Sequence, residues 1–274
     1  MCAPSLVNSV RAELTRRAFL GAAAACGVSV AVPAAAQQTA VRLAKGFRTV
    51  VDLTHPFSPS LPVYPGYNPI RVRPRTTIAQ NGYANNEITF DEHTGTHVDA
   101  PSHFIAGATS GDRLPVDRLI APLVVIPIMT RAAKDPDTLV SVDDVLRWEK
   151  QHGRVPAGAL VAMLSGWADR ISTPERFLNR DARGTMHAPG FSEAAAKFLV
   201  TERDISAVGV DTLSLDAASA QKFVAHFVIL GAGKYGVEMM ANLSRVPPLG
   251  ATVVVGAPKH EGATGGPARV LALV

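Results

Sequence analysis

The sequence predicts an α/β protein: one strand-rich domain with two or three clear helices. Three observations carry that expectation. Hydrophobic residues make up 47% of the 274 positions and charged residues 18%, a composition that buries a core rather than leaving a disordered chain. Short Val/Leu/Ile runs recur along the chain, bounded by Gly and Pro, as strands do. Helical periodicity is plain in only two stretches, so the regular strand–helix alternation of a doubly wound sheet is not expected.

The first 36 residues read as a twin-arginine export signal. Thr15-Arg16-Arg17-Ala18-Phe19-Leu20 is followed by an Ala-rich apolar run and by Pro33-Ala34-Ala35-Ala36 before Gln37. Gly21, Gly27, Ser29 and Pro33 make that run a poor membrane span, so removal would leave residues 37–274 as a periplasmic domain without an anchor. In the remaining chain, residues 48–54 alternate like a strand, and five prolines from Pro56 to Pro69 then break regular structure. Residues 86–92, 123–128, 159–164, 207–212, 252–257 and 269–274 read as strands. Ser141 caps an expected helix to His152, with Asp144 three residues on, and Ser192 opens a second helix to about Glu202.

Net charge is +4, but three Arg and one Glu lie in the first 36 residues, which leaves 24 basic and 22 acidic side chains spread along the rest. No Lys/Arg cluster suits a phosphate backbone, so nucleic acid is not an expected partner. The two cysteines, Cys2 and Cys26, both lie in the leader; any metal in the domain must be held by nitrogen and oxygen.

The chemistry is concentrated in His93-Thr94-Gly95-Thr96-His97-Val98-Asp99-Ala100-Pro101-Ser102-His103-Phe104. His93 and His97 have the spacing of a helical zinc motif, but three β-branched residues, Gly95 and Pro101 disfavour helix. In an extended segment residues 93, 97, 99 and 103 share parity and hence one face, yet a straight strand would hold positions 93 and 97 about 13 Å apart. Gly95 is the residue able to bend the chain between them. Imidazole and carboxylate donors suit Zn²⁺, Mn²⁺ or Fe²⁺, and such an ion brings the pKa of bound water to about 7, providing hydroxide at neutral pH.

The pattern His-x-Gly-Thr-His-x-Asp-x-Pro-x-His-Phe resembles the signature of the cyclase family of metal-dependent hydrolases, which includes kynurenine formamidases and isatin hydrolases. The resemblance runs from about Thr49 onward. It implies His93, His97 and Asp99 as metal ligands, with Asp99 bridging if two ions bind, and His103 as general acid/base. It adds His226 and, twelve residues later, Glu238 as further ligands; on residue type alone these read as a core histidine and a surface charge. It implies Tyr64, in Val63-Tyr64-Pro65-Gly66, as a substrate contact, where kynurenine formamidases have Trp; Tyr67 stands where an Asp is common.

The implied fold is the swivelling β/β/α domain of that family, commonly a dimer or tetramer. The implied activity is hydrolysis of a carbonyl C–N bond in an N-formyl aryl amide such as N-formylkynurenine or a cyclic amide such as isatin. One or two divalent ions, Zn²⁺ or Mn²⁺, would be needed and no organic cofactor. An esterase or lactonase on the same metal site, or a non-catalytic exported metal- or ligand-binding protein, are the alternatives.

Other features read as decoys. Gly231-Ala232-Gly233-Lys234-Tyr235-Gly236 fits a dinucleotide-binding pattern, but no acidic residue ends a second strand at the right distance. Arg71, Arg73 and Arg75 are expected on a solvated strand edge, and Ser165-Gly166-Trp167 and His187 fit either a turn or a pocket lining.

Overall fold

The structure is a computed structural model describing residues 46–274. The expected leader, residues 1–36, lies outside the described residues. Among the described residues no helix is long and apolar enough to cross a membrane.

Residues 72–89 form a small unit of their own, and residues 46–71 with 90–274 form the other. In chain order the strands are β1 (Val50–Asp52), β2 (Arg71–Thr76), β3 (Asn85–Thr89), β4 (His97–Asp99), β5 (Ile120–Pro127), β6 (Leu139–Val140), β7 (Leu160–Leu164), β8 (Gly190–Phe191), β9 (Ala207–Val210), β10 (Tyr235–Glu238), β11 (Ala251–Gly256), β12 (Gly265–Pro267) and β13 (Arg269–Leu273). The helices are α1 (Ile78–Asn81), α2 (Met129–Ala132), α3 (Val142–His152), α4 (Pro174–Leu178), α5 (Glu193–Glu202) and α6 (Val224–Gly231). The small unit is the β2–β3 hairpin joined through α1. Arg75 there reaches Glu87 across the pair at 3.1 Å, and Arg71, Arg73 and Arg75 are exposed, as the solvated reading has it.

The larger unit is built on a nine-stranded mixed sheet of order β1-β13-β11-β5-β7-β9-β10-β4-β12. Its centre, β5-β7-β9-β10, is parallel, and antiparallel strands extend it on each side. Parallel neighbours require crossovers, and α3, α5 and α6 lie in those connections. The alternation of each strand then makes two cores. Val124, Ile126, Val161, Met163, Val208 and Val210 meet Val145 and Trp148 of α3, Leu199 of α5 and Ile229 of α6. The opposite face carries Leu123, Val125, Leu160 and Ala162, which pack with Val51, Val253 and Val270 from one end of the sheet and with Val98 and Val237 from the other. The sheet therefore curls on itself, and its helices cover one face, unlike a doubly wound sheet. Each fully buried Val, Leu or Ile contributes about 1.5–3 kcal/mol toward closing these layers.

Both expected helices form. Ser141 and Asp144 make a reciprocal capping box at the start of α3, and the Ser192 hydroxyl accepts from Ala195 at the start of α5. Sequence patterning missed α6, whose β-branched Val224, Val228 and Ile229 leave an apolar run with no plain helical periodicity. The glycine pattern at 231–236 follows that helix instead of opening one, so it lacks the geometry of a dinucleotide site.

Candidate active site

The bend expected at Gly95 is present: its φ of 68° is left-handed, and a Cβ there would lie 3.1 Å from Phe57. The bend returns the chain so that His93 sits against β4 while His97 and Asp99 project from one face of that strand. The expectation that His103 shares this strand face is not met. Pro101–His103 form a 3-10 turn, and the His103 ring reaches the group from there, stacked on His93 with centroids 3.6 Å apart.

The register of β10 against β4 pairs Glu238 with His97 and Gly236 with Asp99. Residues directly opposite share a face, so Glu238 falls beside His97. Gly236 leaves room for the carboxylate: a Cβ there would be 3.0 Å from Asp99 Oδ2. On the other side β12 pairs Gly265 with Asp99, and a Cβ on Gly265 would collide with the Val98 carbonyl and with His93. His226 comes from the first turn of α6.

Five donors therefore converge. His93 Nδ1 lies 2.6 Å and His97 Nε2 3.2 Å from Asp99 Oδ1. His226 Nε2 lies 3.6 Å from Asp99 Oδ2 and 3.2 Å from Glu238 Oε1, and Glu238 Oε2 is 3.4 Å from His97 Nε2. Two overlapping triads, His93/His97/Asp99 and Asp99/His226/Glu238, share Asp99 and have donor atoms close enough for one ion each. All but His93 are buried, and His97 Nε2 and Asp99 Oδ2 have no hydrogen-bond partner among the described residues. Buried polar atoms left in this way are costly unless something else engages them.

The outer hydrogen bonds orient the rings. The Thr264 hydroxyl donates to Glu92 and so accepts from His93 Nε2 at 3.0 Å; His97 Nδ1 donates to the Gly95 carbonyl at 2.8 Å. Each ring thus turns its other nitrogen inward. Electrostatics agree. Burial opposes charge on His97, but Asp99 and Glu238 overcome it and hold the imidazole up at about 9. Burial also opposes charge on His226, yet Asp216, Asp99 and Glu238 keep it well above the usual range. Burial and the neighbouring Asp99 charge push Glu238 upward, whereas the imidazoles around Asp99 overcome its burial and hold it well below the usual carboxylate range. Without a cation the group collects protons. An all-N/O donor set carrying two carboxylates fits a divalent cation in their place.

A cleft of about 160 Å³ opens beside this group. Tyr64, Tyr67, Phe104 and Phe223 form its aromatic walls, and His93, His103, His226 and Glu238 its polar lining. Neither ring nitrogen of His103 is hydrogen-bonded among the described residues, and burial pushes its pKa down to about 4, with Asp99 pulling the other way. Tyr64, which the resemblance implies as a substrate contact, lines this cleft, while Tyr67, Phe104 and Phe223 carry no periodic signal that marks them as lining. Trp167 and His187 are outside the cleft. Trp167 is buried with its indole donating to the Phe177 carbonyl, and Ser165 is bound to the buried Asp211. His187 pairs with Asp137 at 2.7 Å.

The Cyclase family model matches residues 51–217. The chain is 37% identical over 200 residues to isatin hydrolase of Roseibium aggregatum, covering 70% of this chain and 75% of that protein. It is 30% identical over 198 residues to kynurenine formamidase of Bordetella avium, covering 70% and 81%. The solved structure of isatin hydrolase A from Ralstonia solanacearum matches with a TM-score of 0.79 at 33% identity, over 95% of this chain and 97% of that one. Family match, relatives and fold agree: the chain belongs to the cyclase family.

Proposed function

We propose that this protein is a metal-dependent hydrolase that cleaves a carbonyl C–N bond in an aromatic amide, of the N-formyl aryl or cyclic isatin type. The observation that carries the proposal is the convergence of five donors, four of them buried, next to an aromatic cleft. His93, His97, Asp99, His226 and Glu238 would hold one or two divalent ions, with Asp99 shared between the triads. A bound Zn²⁺ or Mn²⁺ supplies Lewis acidity toward a carbonyl oxygen and acidifies water at neutral pH.

The chain's own side chains do the rest. A cavity of about 150 Å³ accepts one benzene ring, so a cleft of about 160 Å³ suits a compact aromatic substrate. Tyr64 and Tyr67 on one segment and Phe104 and Phe223 on two others offer ring faces and edges to hold it. His103, with free ring nitrogens at the cleft, takes a proton from the attacking water and delivers it to the departing nitrogen. The named relatives support an amide: one is an isatin hydrolase and another a kynurenine formamidase.

The test couples metal analysis with turnover of isatin, N-formylkynurenine and an aryl ester. Replacement His103→Ala is expected to lower turnover by 10²-fold or more with metal content kept, the usual scale for a lost general acid/base. Replacement Asp99→Asn is expected to lose both. Equal metal loss in the two variants, or ester turnover without amide turnover, would overturn the assignment.

A further inference from the structure

Asp216 is buried next to the donor group without being one of the five. It lies in the loop between β9 and α6, ten residues before His226. Its Oδ1 accepts from the Ala225 backbone N–H at 2.7 Å. Its Oδ2 accepts from the His226 backbone N–H at 3.2 Å and stands 2.6 Å from His226 Nδ1. Helix α6 follows Phe223, whose side chain cannot cap it, so Asp216 supplies from outside the helix the acceptor that the first turn lacks.

Both carboxylate oxygens thus face N–H donors, and a carboxylate only accepts. That fixes a proton on His226 Nδ1 and leaves Nε2 as the nitrogen aimed at Asp99 and Glu238. The other two imidazoles are oriented differently: His97 by the Gly95 carbonyl, His93 by a hydroxyl. Among the described residues, only His226 of the three is oriented by direct contact with a carboxylate outside the five donors. We infer that Asp216 is a positioning residue that locks the Nδ1–H tautomer and the ring rotation of His226, and thereby sets cation affinity at the Asp99/His226/Glu238 triad. The inference rests on the reading of that triad as a cation site.

The change Asp216→Asn separates the two functions of the side chain. If the amide oxygen keeps the Ala225 cap, the amide nitrogen faces His226 Nδ1, which must then accept; the ring proton moves to Nε2 and occupies the lone pair a cation needs. If the amide turns over, its nitrogen opposes the Ala225 N–H and the helix start is lost. Titration of the metal-free wild type and variant with Mn²⁺ and with Zn²⁺, read by calorimetry and metal content, is expected to show affinity at the triad reduced about 10–100-fold in the variant. Equal affinity in the two proteins overturns the role of Asp216 while leaving the metal reading intact. A wild type that binds neither ion overturns the metal reading itself. Ring ¹⁵N spectra of the Zn²⁺-loaded wild type provide a measurement independent of how the variant folds. They are expected to show a proton on His226 Nδ1 and a metal-shifted Nε2; a proton on Nε2 overturns the inference.

Discussion

At the scale of single residues, Asp99 is tolerated because its neighbours across two strands have no side chains. Gly236 leaves a gap on one side, and Gly265 on the other cannot gain even a methyl group without displacing the Val98 backbone and the His93 ring. Replacing Gly265 by Ala is expected to cost about 1–3 kcal/mol, measured by urea unfolding, and to lower metal content because His93 is pushed from its place. Asp211 makes a different kind of demand. It is fully buried and accepts hydrogen bonds from Ser165, Gly166 and Trp167, but burial outweighs them and pushes its carboxyl up to about 6. A carboxyl raised in the folded state binds its proton there more tightly than in the unfolded chain, so its contribution is full below about pH 4 and fades as pH rises to about 6. Relative to Asp211→Asn, the wild type should therefore lose on the order of 3 kcal/mol across that window, by chemical unfolding at a series of pH values. A flat difference would refute the assignment.

At the scale of elements, the site depends on the register of three short strands and on the start of one helix. Capping is where sequence and structure agree most closely: Ser141 and Asp144 close α3 reciprocally, and Ser141→Ala is expected to cost about 1 kcal/mol in thermal unfolding. Strands β5, β7, β9, β11 and β13 were legible because each is an apolar run long enough to cross the core. Strand β4 lies within the segment read as extended, whereas β10 and β12 were not marked: β10 overlaps the glycine-spaced 231–236 stretch, and β12 contains two glycines and a proline, which oppose strand formation. Helix α6 was hidden by its β-branched residues. The candidate site was legible to the same degree. Spacing alone drew attention to His93, His97, Asp99 and His103, with Gly95 explained. His226 and Glu238 came only with the family resemblance, because their approach is set by strand register and a helix crossover that no local pattern encodes. Asp216 contacts His226 through the path of an irregular loop, which leaves no periodic trace.

At the scale of the whole molecule, a cation held as proposed between β4, β10 and α6 would tie the sheet to one of its crossovers. Removing it by chelation is expected to lower the melting temperature. Restoring Zn²⁺ or Mn²⁺ at about a hundred times its dissociation constant returns about 2.7 kcal/mol, roughly 5–10 °C for a chain of this size by calorimetry. A melting temperature indifferent to chelation would show that the donors hold nothing in solution. The nine-stranded order has one more consequence, which concerns synthesis rather than catalysis. The segment that flanks Asp99 and bonds His93, residues 264–267, begins 171 positions after His93. A polypeptide emerging from the ribosome exposes the His-rich motif long before its covering edge is made, so a product stopped before residue 264 would leave His93 without its hydroxyl partner and β4 without its edge strand.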